Sequence, residues 1–220
     1  MARPPFLRTR AGRLALLGMM ALDVFVVPVA LHMGLVAERV GDVIFAGTML
    51  VAISAMGTGR GRRAVLAVAL AAFGVQFFRF LDPSTALVII DAALSALALG
   101  TFAAMVLVDV FGNDPGPDRL LDVILAYLLV GATFAFLYEV VNVALPGAVL
   151  LNGQAMHTAD YVYFSLTTMT SVGYGDALAM HPISRSIAMA EALTGQLYVA
   201  VLIARFVTVP RPGGGGDAAT

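Results

Sequence analysis

The sequence predicts an all-α membrane protein with six transmembrane helices, one re-entrant helix and a loop that follows it. Three observations carry this expectation. The chain is too apolar for a soluble protein, its apolar runs have membrane-crossing length, and its arginines fall in alternate connections. Of its 220 residues, 60% are hydrophobic and 12% are charged, and the mean hydropathy is +0.92. A soluble domain carries about 45–50% apolar and about 25% charged residues. There is no Cys, which excludes disulfides, thiolate metal sites and thiol nucleophiles. The three His, at 32, 157 and 181, stand at unrelated spacings, which argues against a His-based metal site.

A membrane helix needs roughly 20 mainly apolar residues to cross about 30 Å of hydrocarbon. Six stretches qualify: 14–36, 40–56, 64–81, 84–111, 120–145 and 183–207. The second and third are near the lower length limit. Between the fifth and sixth, 161–169 is apolar and aromatic but too short to span. It reads as a re-entrant helix, which a membrane protein tolerates where protein or a water-filled cavity surrounds it.

All 13 basic residues are Arg, and their placement sets the orientation. Arg3, Arg8, Arg10 and Arg13 precede the first span, and Arg60, Arg62 and Arg63 lie between the second and third. Arg119 precedes the fifth, while Arg205 and Arg211 end the sixth. The alternate loops hold only Arg39, Arg79 and Arg185. Six spans with both termini cytoplasmic satisfy this pattern and place residues 146–182 outside, in a cell inner membrane. The N-terminal run is too long for the apolar part of a signal peptide, carries Asp23 and lacks a small-x-small cleavage site. Arg60, Arg62 and Arg63 could also meet anionic lipid headgroups.

Gly112-Asn113-Asp114-Pro115-Gly116-Pro117-Asp118 has loop composition. It divides the chain into a four-helix unit (1–111), a linker (112–118), a two-helix unit with the re-entrant segment (119–208) and a Gly-rich, flexible tail (209–220).

The re-entrant helix is expected to start near Ala159-Asp160, with Asp160 favouring the positive end of its dipole. Its length to Thr170 is roughly 16 Å, half a membrane. A polar run from Ser171 to Asp176 follows, with Gly173 and Gly175 flanking Tyr174. Glycine permits backbone dihedrals that other residues resist. Such a run can turn successive carbonyls toward an axis, and four copies can replace the water shell of a potassium ion. The Ser171 hydroxyl can supply the innermost ring, and the helix C-terminus turns its negative end toward a cation below.

Thr168-Met169-Thr170-Ser171-Val172-Gly173-Tyr174-Gly175-Asp176 resembles the selectivity-filter signature of the potassium channel family, T-x-T-T-V-G-Y-G-D. The resemblance covers about 119–208. It includes Tyr138-Glu139 in the outer helix, and Glu191 to Tyr198 with Leu202 to Arg205 in the inner helix. It implies a homotetramer, this chain with three identical subunits, passing K+ passively at sites formed by Ser171, Val172, Gly173, Tyr174 and Gly175. Thr168, Thr170, Asp176 and Glu191 are then filter supports. Gly195 is then a gating hinge, although a small residue there also lets the inner helix pack closely. No cofactor is implied, since K+ is the permeant ion, and neither is nucleic acid. The partners are other subunits and membrane lipids.

Three departures from the family pattern stand out. Ser171 replaces a Thr. There is no Trp, which leaves Tyr163 and Phe164 for the aromatic cuff. Thr167 stands where some relatives hold a carboxylate that braces the acid after the filter, so Asp176 needs another partner. Glu191 is expensive in lipid and is expected to brace the re-entrant helix through Ser165 or Thr168. Asp23 and Asp91 are intramembrane acids expected to hydrogen-bond between helices, with Arg79 or Gln76 as candidate partners. His157 and His181 flank the outer mouth.

Four helices before such a module match a voltage sensor in count only. From 84 to 111 there is no basic residue, only Asp91 and Asp109, whereas a sensor needs several at three-residue spacing. After Arg205 only a short tail follows, so no soluble ligand-binding domain is expected in this chain. A weakly selective cation channel conflicts with the intact Val172 to Gly175 run. A transporter conflicts with the single loop and the lack of internal repeats. An intramembrane enzyme lacks any Ser/His, paired-Asp or metal-ligand constellation. The Ala-, Gly- and Arg-rich, Lys-free composition suggests a GC-rich bacterial source.

Overall fold

A computed structural model describes residues 10–35, 44, 47–48, 60–81, 84–112 and 119–208. Helix α1 (Arg10–Ala21) runs through a π-helical turn (Leu22–Val26) into α2 (Val27–His32). Pro28 lies in the first turn of α2. Proline lacks an N–H and crowds the carbonyl four residues earlier, and the widened turn before it relieves both. Then come α3 (Arg60–Leu81), α4 (Thr85–Gly112), α5 (Arg119–Ala144), α6 (Thr158–Met169) and α7 (Pro182–Thr208); the last three are called the outer, re-entrant and inner helices after the sequence expectation.

Among the described residues, four helices are long and apolar enough to cross a membrane, by length and composition: Arg10–His32, Thr85–Gly112, Leu120–Ala144 and Pro182–Arg205. This is a membrane protein. The expected span 40–56 lies outside the described residues apart from 44, 47 and 48, and so do 113–118 and the tail 209–220. The expected span 64–81 is helical within α3, where Leu66–Phe78 is the apolar part.

A buried apolar core joins Leu16 and Met20 of α1, Leu99 and Phe102 of α4, Leu125 and Leu129 of α5, Met169 of α6 and Tyr198 of α7. Close helix approach depends on small residues. At Gly100, an added Cβ would come 3.2 Å from Thr133 Cγ2 on α5. At one end of the bundle, Arg13 lies 3.9 Å from Asp122, both buried. There Tyr198 donates to Val123 O (2.6 Å) and Arg205 donates to Phe111 O (2.5 Å). The last three contacts tie the inner helix and α1 to the ends of α4 and α5.

The all-α expectation misses one element. A three-stranded antiparallel sheet of order β2-β1-β3 sits beside the segment after α6, built from β1 (Val149–Leu151), β2 (Gln154–Ala155) and β3 (Ala177–Ala179). Asn152 and Gly153 turn β1 into β2 with φ of 49° and 75°. Two positive φ values in a two-residue turn suit strand twist, and Asn-Gly is the pair that tolerates them. β1 pairs with β3 in the register Val149↔Ala179, Leu150↔Leu178, Leu151↔Ala177. The Asn152 N–H also donates to Asp176 O (2.6 Å). The sheet therefore anchors the chain directly after residue 176.

Candidate ion pathway

The re-entrant helix starts where the sequence expects it. The His157 N–H donates to Asp160 Oδ2 (2.8 Å), half of a capping box. Thr158 Oγ1 donates to Glu139 Oε1 (3.2 Å) on the outer helix. One turn on, Asn142 Nδ2 donates to the Tyr161 hydroxyl (2.7 Å), while Asn142 Oδ1 accepts the Val149 N–H (2.8 Å). Asn142 thus joins the outer helix, the re-entrant helix and β1.

The back of α6 is braced by buried polar groups. Glu191 on the inner helix is fully buried. Its Oε2 accepts the Tyr138 hydroxyl at 2.6 Å, and its Oε1 lies 2.5 Å from Ser165 Oγ. Ser165 Oγ also lies 2.6 Å from Gly131 O. A hydroxyl has one proton and a carbonyl oxygen none. Both Ser165 contacts are satisfied together when Glu191 carries a proton and donates it to Ser165 Oγ. The brace runs through Ser165, one of the two partners the sequence allowed. Thr168 contributes its carbonyl, which accepts the Ser171 N–H (2.9 Å). Two glycines make the approach possible. A Cβ at Gly131 would come 3.0 Å from Leu166 Cδ2, and one at Gly195 would come 2.0 Å from Met169 O. Of the two roles open to Gly195, this geometry supports close packing against the end of α6.

The helix ends by handing its carbonyls to the segment after it, as unsatisfied C-terminal groups require. Thr170 donates through N–H to Leu166 O (3.0 Å) and through Oγ1 to the same oxygen (2.7 Å). Val172 N–H and Gly173 N–H both reach Thr167 O (3.0 and 3.1 Å). In a trans peptide the N–H and the preceding C=O point in opposite directions. With the N–H groups of 171–173 turned back to the helix, the carbonyls of Thr170, Ser171 and Val172 face away from it. The φ angles at Ser171, Gly173 and Gly175 are 59°, 47° and 83°, so every second residue is left-handed. This alternation lets successive carbonyls share one side, where an ordinary strand would alternate them. Only Ser171 is not glycine among the three, and an unbranched side chain meets less strain there than Thr would. Val172 and Tyr174 are 53% and 72% exposed.

The front of the segment is held by one aromatic residue. The Tyr163 hydroxyl donates to Asp176 Oδ2 (2.7 Å), and its ring stacks parallel to Tyr174, centroids 6.3 Å apart. Asp176 Oδ1 accepts the Ala177 N–H (2.9 Å). Tyr163 is therefore the other partner that Asp176 needs with Thr167 in place of a carboxylate. Thr167 Oγ1 turns back to Tyr163 O and Phe164 O of its own helix. Phe164 does not join a cuff with Tyr163. It is buried against Tyr138 (centroids 4.7 Å) on a different face. A spacing of one residue turns the two side chains about 100° apart on a helix. Tyr138 and Asn142 had no role assigned from sequence, because their partners lie far along the chain. The Asn152-Gly153 pair was the readable signal for the hairpin.

Elsewhere, His181 Nδ1 accepts the Ile183 N–H (3.2 Å) at the start of the inner helix, and His157 is exposed. Asp91 is buried on α4, Asp23 lies in the π-helical turn, and the side chain of Arg79 lies outside the described residues. Among the described residues, no group of three His, Asp or Glu could hold a metal ion.

Comparison with known proteins agrees with this geometry. A family model described as "Ion channel" matches residues 122–211. An inward rectifier potassium channel, Kirbac3.1 of Paramagnetospirillum magnetotacticum, is 33% identical over 75 residues, 34% of this chain and 24% of that protein. The match thus spans about a quarter of the length of the relative. No solved structure matches. These likenesses support a place within the potassium channels. Residues 122–211 thus resemble an ion channel domain, and both likenesses point to a channel, not an enzyme.

Proposed function

We propose that this chain is one subunit of a homotetrameric, potassium-selective channel that passes K+ passively. The observation that carries this is the segment Ser171 to Gly175. Its backbone alternates in hand, its first carbonyls face away from the helix that supports it, and its side chains Val172 and Tyr174 are exposed. One chain supplies one such strand, so four are needed to surround an ion with carbonyls. In this proposal K+ binds at Ser171, Val172, Gly173 and Tyr174, with Gly175 completing the filter. Thr168, Thr170, Asp176 and Glu191 support it.

The same proposal takes six spans per subunit, both termini cytoplasmic and the filter mouth external, in an inner membrane of a bacterial cell. In it, residues 1–111 form a four-helix unit and 119–208 the pore unit. The α4 sequence holds no basic residue, so this unit does not drive gating by voltage. Gly195 is the position where the inner helix would bend if it gates.

The test is ion flux into liposomes holding purified protein, under K+ and Na+ gradients. K+ flux should exceed Na+ flux by orders of magnitude, and equal fluxes would sink the proposal. Tyr174→Ala should abolish selective flux while helical circular dichroism is retained. Chemical crosslinking should end at four subunits.

A further inference from the structure

The hydroxyl of Ser171 has a partner that the filter signature does not include. Gln196 Nε2 on the inner helix donates to Ser171 Oγ at 2.9 Å. Gln196 follows Gly195, whose missing side chain lets the inner helix meet Met169 O. Met169 O is also 3.4 Å from the Tyr127 hydroxyl, which fixes it from the outer helix. The height of the inner helix against the end of α6 is therefore set at Gly195, and the next residue reaches the first residue of the filter. Both Gln196 and Ser171 are exposed in the single chain, as Val172 and Tyr174 are.

We propose that Gln196 is a positioning residue for the innermost ion site, a role that rests on the filter reading above. Serine lacks the γ-methyl that restricts Thr at χ1, so an unpartnered Ser171 hydroxyl would turn among its rotamers. A hydroxyl offers one proton and two lone pairs. The Gln196 amide occupies one lone pair and holds Oγ in place, which leaves the second for a dehydrated cation. The amide thus supplies the order that a branched side chain would otherwise supply. It does so at a left-handed residue, φ 59°, where branching is disfavoured.

The test uses the full-length protein in planar bilayers with K+ on both sides. Ba2+, a divalent ion of nearly the radius of K+, is applied from the side of the inner-helix ends. Gln196→Leu should weaken Ba2+ block about fivefold, the effect of losing one neutral hydrogen bond. Ser171→Ala should also weaken block, and adding Gln196→Leu to it should change block by less than about twofold. Gln196→Asn keeps the amide but is one methylene short, and should behave as Gln196→Leu. It carries the test if the Leu variant does not assemble. Parental-level block in both Gln196 variants overturns the role of Gln196, as does equal weakening in the Ser171→Ala background. A parental protein that passes K+ and Na+ alike overturns the channel proposal itself.

Discussion

The two faces of the re-entrant helix are built differently. The back face is complete within one chain: Glu191, Ser165, Tyr138 and Gly131 O form a buried polar cluster, and Phe164 packs on Tyr138. The front face is open. Tyr163 and Asp176 steady the segment, yet Val172 and Tyr174 stay exposed and the carbonyls of 170–172 face away from the subunit. A buried polar group must find its partners inside the fold, because leaving one unmade costs about 1–3 kcal/mol. An outward carbonyl can wait for an ion or another copy. The back therefore governs whether the chain folds, and the front governs what it does in the proposed assembly.

The largest expected effect breaks the back. Gly195→Ala places a methyl 2.0 Å from Met169 O and should destabilise the purified protein by about 3 kcal/mol, the upper end for overpacking. Gly74→Ala meets nothing within 4 Å and should leave thermal unfolding in detergent unchanged or slightly raised. Equal midpoints for the two variants would show that the inner helix does not sit this close.

Next is the polar cluster. Glu191→Leu strips Tyr138 and Ser165 of a shared partner and should cost about 2 kcal/mol. Glu191→Gln can still accept from Tyr138 and donate to Ser165, so it should unfold close to the parental midpoint. If Gln were as damaging as Leu, the proton on Glu191 would not be what joins it to Ser165.

The front variants should reverse the pattern. Tyr163→Phe removes the hydroxyl to Asp176 and keeps the stack on Tyr174. It should shift the unfolding midpoint little and shorten single-channel open times about fivefold, matching one lost hydrogen bond of about 1 kcal/mol. Unaltered open times would mean that the Ala177 N–H alone holds Asp176. The smallest effect is expected at the rim. His181→Ala removes the side-chain acceptor for Ile183 N–H and should cost about 0.5 kcal/mol, the low end for an exposed N-cap, read by thermal unfolding.

Local patterns made part of this molecule readable. Residues 161–169 were legible as a short helix because the run is too brief to span. Asp160 marked its start, and the nonamer 168–176 was legible because two glycines at that spacing have few other uses. Glu191 was legible as a brace, since an acid amid apolar helix has to face protein. The small sheet was not called, although Asn152-Gly153 signalled its turn. Tyr163 and Phe164 were grouped as the aromatics left for a cuff in a chain without Trp, and helical geometry turns them about 100° apart, onto different faces.

By itself the sequence determined the membrane setting, the short helix ending at Met169 and the glycine pattern of residues 171–175, all properties of composition and short-range spacing. Only the tertiary structure decided the partners: Tyr138 and Ser165 for Glu191, Tyr163 for Asp176, and Gln196 for Ser171. The physical reason is range. Propensity and hydropathy act within a few residues, whereas the Glu191–Tyr138 bond joins positions 53 residues apart. Such partners are chosen by which helices meet and how closely, and Gly131 and Gly195 set that closeness.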